Sequence, residues 1–142
     1  MGAHAELVSR YFAACSSGDA DAVTACFHDD AVVYDTNHQP IRGAAAIGAF
    51  YAKMRTRWEG AVWRVDTFVE APEHCASEWS MEAPSAQAVL RGSEHYEIRD
   101  GRIAEIRQYW TFRPDAPATG LQGFDYEADP RFWTPDRGEE DA

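Results

Sequence analysis

The chain predicts an α+β domain: three N-terminal helices followed by a mostly antiparallel sheet, which when strongly curved can wrap the helices and leave a cone-shaped cavity. Three observations carry this. Apolar residues recur at helical spacing up to Trp58 and at a period of two from Val62 onward. Turn signals at Pro72-Glu73, Pro84-Ser85 and Asp100-Gly101 divide the later part into strand-length runs. A chain of 142 residues with 45% apolar and 13% aromatic content can bury a real core as one domain.

The elements follow in order. Leu7, Val8, Tyr11, Phe12 and Cys15 mark a first helix over roughly Ala5 to Ser16, broken by Gly18. Asp19 caps a second helix with Ala22, Val23, Cys26 and Phe27 on its inner face. Ala31 to Asp35 is a short apolar strand, and Thr36 to Gly43 reads as a loop. Ile47, Phe50, Tyr51, Met54 and Trp58 line one face of a third helix from about Ala44 to Trp58. Strands are then expected over Val62–Ala71, with Trp63, Val65 and Val69 on one side, and over His74–Ala83, Ala88–Arg99 and Arg102–Arg113. Beyond Pro114 the chain is rich in Pro, Gly and acids, with an aromatic island at Phe124, Tyr126, Phe132 and Trp133. The expected division is residues 1–113 as the folded domain and 114–142 as an acidic, aromatic-containing extension. The island either covers the cavity mouth or packs on a second subunit.

Composition excludes several classes. The net charge of −11 offers no basic stripe for nucleic acid and disfavours an anionic membrane surface. No apolar run approaches the roughly 20 residues of a membrane span, and no signal peptide is visible. Cys15, Cys26 and Cys75 lack CxxC spacing and fit buried thiols of a cytoplasmic protein. No two histidines show metal-ligand spacing, so neither a metal nor another cofactor is expected.

Several motifs in this order resemble the nuclear transport factor 2-like superfamily, and within it the SnoaL-like polyketide cyclases and ketosteroid isomerases. They are Tyr11-Phe12-Ala13-Ala14, Gly18-Asp19, Phe27-His28-Asp29-Asp30-Ala31, Gly43 with Ala46-Ile47 and Phe50-Tyr51, Tyr96 to Ile103, and Arg107-Gln108-Tyr109-Trp110. The resemblance spans about Glu6 to Phe112. It implies a homodimer and a small hydrophobic ligand.

Residue by residue, it implies a site. A helix 1 tyrosine that donates to a developing oxyanion is matched by Tyr11. The proton-shuttling aspartate at the end of the first strand is matched by Asp35. A protonated aspartate on a late strand, the second oxyanion donor, is matched in place by Glu94. The notion of a carboxylic acid kept neutral by an apolar site is taken from ketosteroid isomerase itself, a standard worked case.

The chemistry agrees. Moving a proton beside a carbonyl needs a base and donors for the enolate oxygen. Glu94 shares a strand face with Gly92, Tyr96 and Ile98, where desolvation favours its neutral form. His38, three residues past Asp35, is a further acid/base candidate. Tyr51, Phe50, Tyr96, Gln108 and Trp110 are the candidate pocket walls, with Gln108 on a face with Ala104, Ile106, Trp110 and Phe112.

Plain structural roles compete. Asp35 can satisfy loop N–H groups, Tyr11 can be core, and Glu94 can be an ordinary strand carboxylate. The expected activity is cofactor-independent isomerisation, cyclisation or dehydration of a hydrophobic carbonyl compound such as a polyketide, steroid or terpenoid. The alternatives are a non-catalytic binding or dimerisation module and, more weakly, epoxide hydrolysis. Limonene epoxide hydrolases, which are relatives, carry an aspartate near position 108 and an Arg-x-Asp element before it. Here stand Gln108 and Arg91-Gly92-Ser93-Glu94.

Overall fold

A computed structural model describes residues 2–110 and 123–138. Three helices, α1 (Ala3–Ser17), α2 (Ala20–Ala25) and α3 (Ala44–Arg57), pack on one face of a six-stranded sheet. The strands are β1 (Phe27–Asp35), β2 (His38–Arg42), β3 (Val62–Glu70), β4 (His74–Ala83), β5 (Ala88–Arg99) and β6 (Arg102–Trp110). Their spatial order is β2-β1-β6-β5-β4-β3. All neighbours are antiparallel except β1 and β6, which run parallel. The sheet is curved and unclosed, giving the expected cone.

Local chemistry explains the boundaries. Gly18 closes α1 in the left-handed conformation, its N–H on the Cys15 carbonyl at 3.2 Å. Asp19 accepts from the Ala22 N–H at 3.1 Å and so starts α2. Asp100 and Gly101 both have positive φ, which makes the tight β5–β6 hairpin.

Three expectations need correction. Phe27 is the buried first residue of β1, not part of a helix face; the helix stops at Ala25 and the strand begins four residues earlier than expected. The supposed loop from Thr36 to Gly43 contains β2. Pro40 hides that strand in the sequence, but β2 is an edge strand, where a missing N–H is tolerated. Val69 does not share the inner face with Trp63 and Val65. A bulge between Val65 and Thr67 inserts Asp66 as an extra residue and reverses the alternation, leaving Val69 69% exposed and Phe68 turned to the core. The last strand reaches Trp110; the expected continuation to Arg113, with Phe112, and the tail acids Glu139, Glu140 and Asp141 lie outside the described residues.

The core joins α1, α3 and the concave sheet face. Tyr11 meets Phe27 and Tyr51 edge-on at 5.4 and 5.6 Å between ring centres. Arg55 Nε donates to the Ser16 carbonyl and the Trp63 N–H to Ser16 Oγ, tying α3 and β3 to the end of α1.

Within the chain, the described part of the aromatic island does not cover the cavity mouth. It covers the outer face of its own sheet, over β3, β4 and β5. Phe132, Trp133 and Thr134 are buried. Asp66, freed by the bulge to face outward, accepts from the Trp133 N–H at 3.0 Å. Arg91 donates to the Trp133 carbonyl at 2.8 Å and lies 4.0 Å over the Tyr126 ring. Ser80 bridges Arg91 and Asp66 with two 2.5 Å hydrogen bonds.

Candidate active site

The site follows from the register of the sheet. Asp35 on β1 pairs with Gln108 on β6, Gln108 with Glu94 on β5, and Glu94 with Ser77 on β4. These four side chains form one polar row across the concave face. Two strand spacings of about 4.8 Å put the Asp35 and Glu94 backbones on the order of 10 Å apart. A flat ligand lying across Gln108 therefore spans from one carboxyl group to the other.

Glu94 lies at the closed end of the cone and is 2% exposed. Burial pushes its carboxyl up to about 8; the negative charge of Asp35 adds to this, and the hydrogen bond from Tyr96 opposes it. At neutral pH the group is a carboxylic acid. Tyr96 donates to Glu94 Oε2 and shares a 2.8 Å hydrogen bond with Ser77 Oγ. Tyr11, Tyr51 and Tyr96 are all held well above the ordinary phenol range, first by burial and then by the charge of Glu94. The closed end is thus a set of neutral O–H groups.

Asp35 lies at the open end, half-buried. Its Oδ1 accepts from the Asn37 N–H at 2.7 Å, an Asx turn that begins the β1–β2 hairpin. Its Oδ2 accepts from Trp110 Nε1 at 2.9 Å. The loop role and an inward-facing position are therefore combined in one residue.

Between these ends the chamber has two compartments. The inner one is lined by Tyr11, Phe12, Cys15, Tyr51, Trp63, Glu94 and Gln108. The outer one is lined by Asp35, Phe50, Tyr51, Met54, Trp63, Trp79, Met81, Gln108 and Trp110. Tyr51 donates to Gln108 Oε1 at 3.1 Å, and both residues border both compartments. The cavity volumes are small, about 10 Å³ in the inner compartment and about 20 Å³ in the outer. Each compartment has room for about one water. A larger ligand must displace side chains, and among the walls Met54 and Met81 have the unbranched, adaptable side chains.

All nine residues singled out from the sequence can be located. Tyr11, Asp35, Tyr51, Phe50, Glu94, Gln108 and Trp110 border the chamber. Tyr96 stands behind Glu94 as its hydrogen-bond partner. His38 pairs with Asp35 in the β1–β2 register, and its ring rests edge-on against Phe50 at 5.1 Å, outside the chamber lining. Ser77, Trp63, Trp79 and Met81 were not foreseen as site residues. Their strand alternation carried the signal for an inward face, but only the pairing register places them beside Glu94 and Trp110.

Fold and site define a narrow, polar-ended chamber in a cone-shaped α+β domain. The chain belongs to the SnoaL-like domain family, which matches residues 8–106. It is similar to a protein of unknown function with a cystatin-like fold from Methylobium petroleophilum, at 28% identity over 89% of this chain and 88% of that one, with a TM-score of 0.71. A ketosteroid isomerase-like protein from Catenulispora acidiphila, in complex with trimethylamine, is 17% identical over 75% of this chain and 85% of that one, with a TM-score of 0.67. A putative polyketide cyclase from Sinorhizobium meliloti is 22% identical over 77% of this chain and all (100%) of that one, with a TM-score of 0.65. These likenesses agree on the nuclear transport factor 2-like fold. No helix among the described residues is long and apolar enough to cross a membrane.

Proposed function

We propose that this protein is a cofactor-independent enzyme that moves a proton beside the carbonyl of a hydrophobic compound through an enolate. The carrying observation is the row Asp35–Gln108–Glu94, which holds a carboxylate at one end and a neutral carboxylic acid at the other. Asp35 takes the α-proton. The carbonyl oxygen lies in the inner compartment, where Tyr11 and Glu94 donate to it as negative charge develops. Trp110 swings from Asp35 Oδ2 as the ligand comes in, and the aromatic walls favour a flat polyketide-, steroid- or terpenoid-like skeleton. Isomerisation, cyclisation and dehydration share this step.

Deuterium uptake at the α-carbon of 2-tetralone, followed by NMR in D₂O buffer, tests the step without knowledge of the natural substrate. The wild-type protein raises the exchange rate above that of buffer. Asp35→Asn loses on the order of a hundredfold of that acceleration, the usual share of a general base, while its circular dichroism is unchanged. Equal exchange by the two proteins would sink the mechanism.

A second reading, a binding module without turnover, is favoured by one observation: both oxygens of Asp35 are already partnered. It predicts that 2-tetralone binds but exchanges no faster than in buffer. In either case the working form is a homodimer, with residues 114–142 an extension to the domain of residues 1–113. Three free, buried cysteines suit a cytoplasmic protein.

A further inference from the structure

Trp79 is a chamber residue with a buried polar atom that the fold leaves unused. It lies on β4, is 2% exposed and borders the outer compartment with Asp35 and Trp110. Its Nε1 is buried with no hydrogen-bond partner among the described residues. The other indole of the same row is matched: Trp110 Nε1 donates to Asp35 Oδ2 at 2.9 Å. A buried indole N–H ordinarily finds an acceptor, and leaving it unmatched is costly. Phenylalanine would wall the same space without that cost.

The chain also makes room for this indole. Trp79 pairs with Gly92, and Gly92 with Trp110. A Cβ at position 92 would lie 2.3 Å from Trp79 Cζ2, 2.6 Å from Cε2 and 3.0 Å from Trp110 Cβ. Glycine inside a strand weakens it and marks a close approach; here the approach is that of the Trp79 ring. The nearby protein acceptors are engaged elsewhere. Gln108 Oε1 takes the Tyr51 hydroxyl, and both Asp35 oxygens are partnered.

The Trp79–Gly92–Trp110 row is the next inward row after Ser77–Glu94–Gln108, about 7 Å further along the strands. The chamber thus offers donors at two depths: Tyr11 and Glu94 in the inner compartment, and the Trp79 indole in the outer one.

We propose that Trp79 Nε1–H is a specificity-determining donor that binds a second oxygen of the ligand, so that the chamber selects flat apolar ketones carrying a further hydroxyl or carbonyl group on the ring remote from the reacting carbonyl. The proposal rests on the chamber being a binding site, as read above, but not on proton transfer by Asp35.

Two probes differing by one oxygen test it: 6-hydroxy-2-tetralone and 2-tetralone. Wild-type protein binds the hydroxylated ketone roughly tenfold more tightly, the worth of about one net hydrogen bond. Trp79→Phe, which keeps an aromatic wall but no donor, binds both equally. In spectra of ¹⁵N-labelled wild-type protein, the Trp79 indole resonance, assigned without recourse to any variant, moves downfield with 6-hydroxy-2-tetralone and not with 2-tetralone. Three outcomes overturn the proposal: an unmoved indole resonance at saturation, a preference retained by Trp79→Phe, or no binding of the hydroxylated probe. The two readings fail separately. Preference without α-exchange leaves the Trp79 site standing and removes the enolate chemistry; α-exchange without preference does the reverse.

Discussion

Glu94 carries a carboxyl group where its charge is costly, and that makes its protonation a property of the fold. In the unfolded chain it titrates near its ordinary 4.5; in the folded protein burial lifts it to about 8. Below 4.5 both states hold the proton, and the contribution to stability is fully present. Between 4.5 and 8 only the folded state holds it, so raising the pH favours unfolding by about 1.4 kcal/mol per pH unit. Above 8 both states have released it and the contribution is gone. The whole effect is on the order of 5 kcal/mol. Glu94→Gln keeps the shape, an acceptor for Tyr96 and an N–H donor, but nothing to titrate. Urea denaturation of both proteins from pH 5 to pH 8.5 is expected to show wild-type stability falling relative to Glu94→Gln. Parallel curves would mean that Glu94 is ionised in the fold. The reaction should follow the same proton. Wild-type α-exchange falls as pH passes about 8, because a carboxylate beside the enolate oxygen repels it, and Glu94→Gln shows no such fall.

At the scale of elements, the β4–β5 pair is built around one missing side chain. Replacing a strand glycine by alanine ordinarily helps, since alanine has less freedom to lose. Gly92→Ala is expected to do the opposite, costing about 1–3 kcal/mol as an overpacking change, because the new Cβ meets the Trp79 ring and the Trp110 Cβ. The cost should shrink in a Trp79→Ala background, and a double-mutant cycle by chemical denaturation reads that coupling. A fully additive cycle would place the strain elsewhere. This dependence also explains what could be read from the sequence. β4 and β5 have the limits that period-two alternation and the Pro84 and Asp100-Gly101 turns indicated. The concealed elements were those where a local signal is overruled by neighbours. Pro40 is acceptable in β2 only because β2 is an edge, and the bulge at Asp66 is stabilised by contacts to Ser80 and to the Trp133 N–H, distant in sequence. The site divided the same way. Asp35, Gln108 and Glu94 could each be singled out by residue type and position. That they form one row is a fact of register, set by three strands pairing across more than 70 residues of chain.

On the whole molecule, the outer sheet face is divided in two. Residues 123–138 cover it over β3, β4 and β5, through Asp66, Arg91 and the Trp133 backbone. Among the described residues, nothing covers the remainder, over β1, β6 and the far end of β5. Tyr34 and Tyr109 are exposed there, 38% and 54%, beside Arg107 and Glu105 in a depression of about 370 Å³. His95 leans on the Tyr109 ring at 6.0 Å, and Arg107 holds Glu97 from the same side. Exposed aromatics among paired charges form the kind of patch that a protein partner covers. Residues 123–138 occupy the other half, so we place the interface of the proposed homodimer on this one. Light scattering at low micromolar concentration is therefore expected to give about twice the 15.9 kDa chain mass. Tyr109→Glu places a carboxylate in the middle of the patch, close to Glu105, and should yield the single-chain mass with unchanged circular dichroism. Asp35 begins the turn at the rim of this same depression. If the dimer forms here, the variant that separates the chains should also weaken 2-tetralone binding. A wild-type protein that runs as a clean monomer at this concentration would instead leave the patch as ordinary surface.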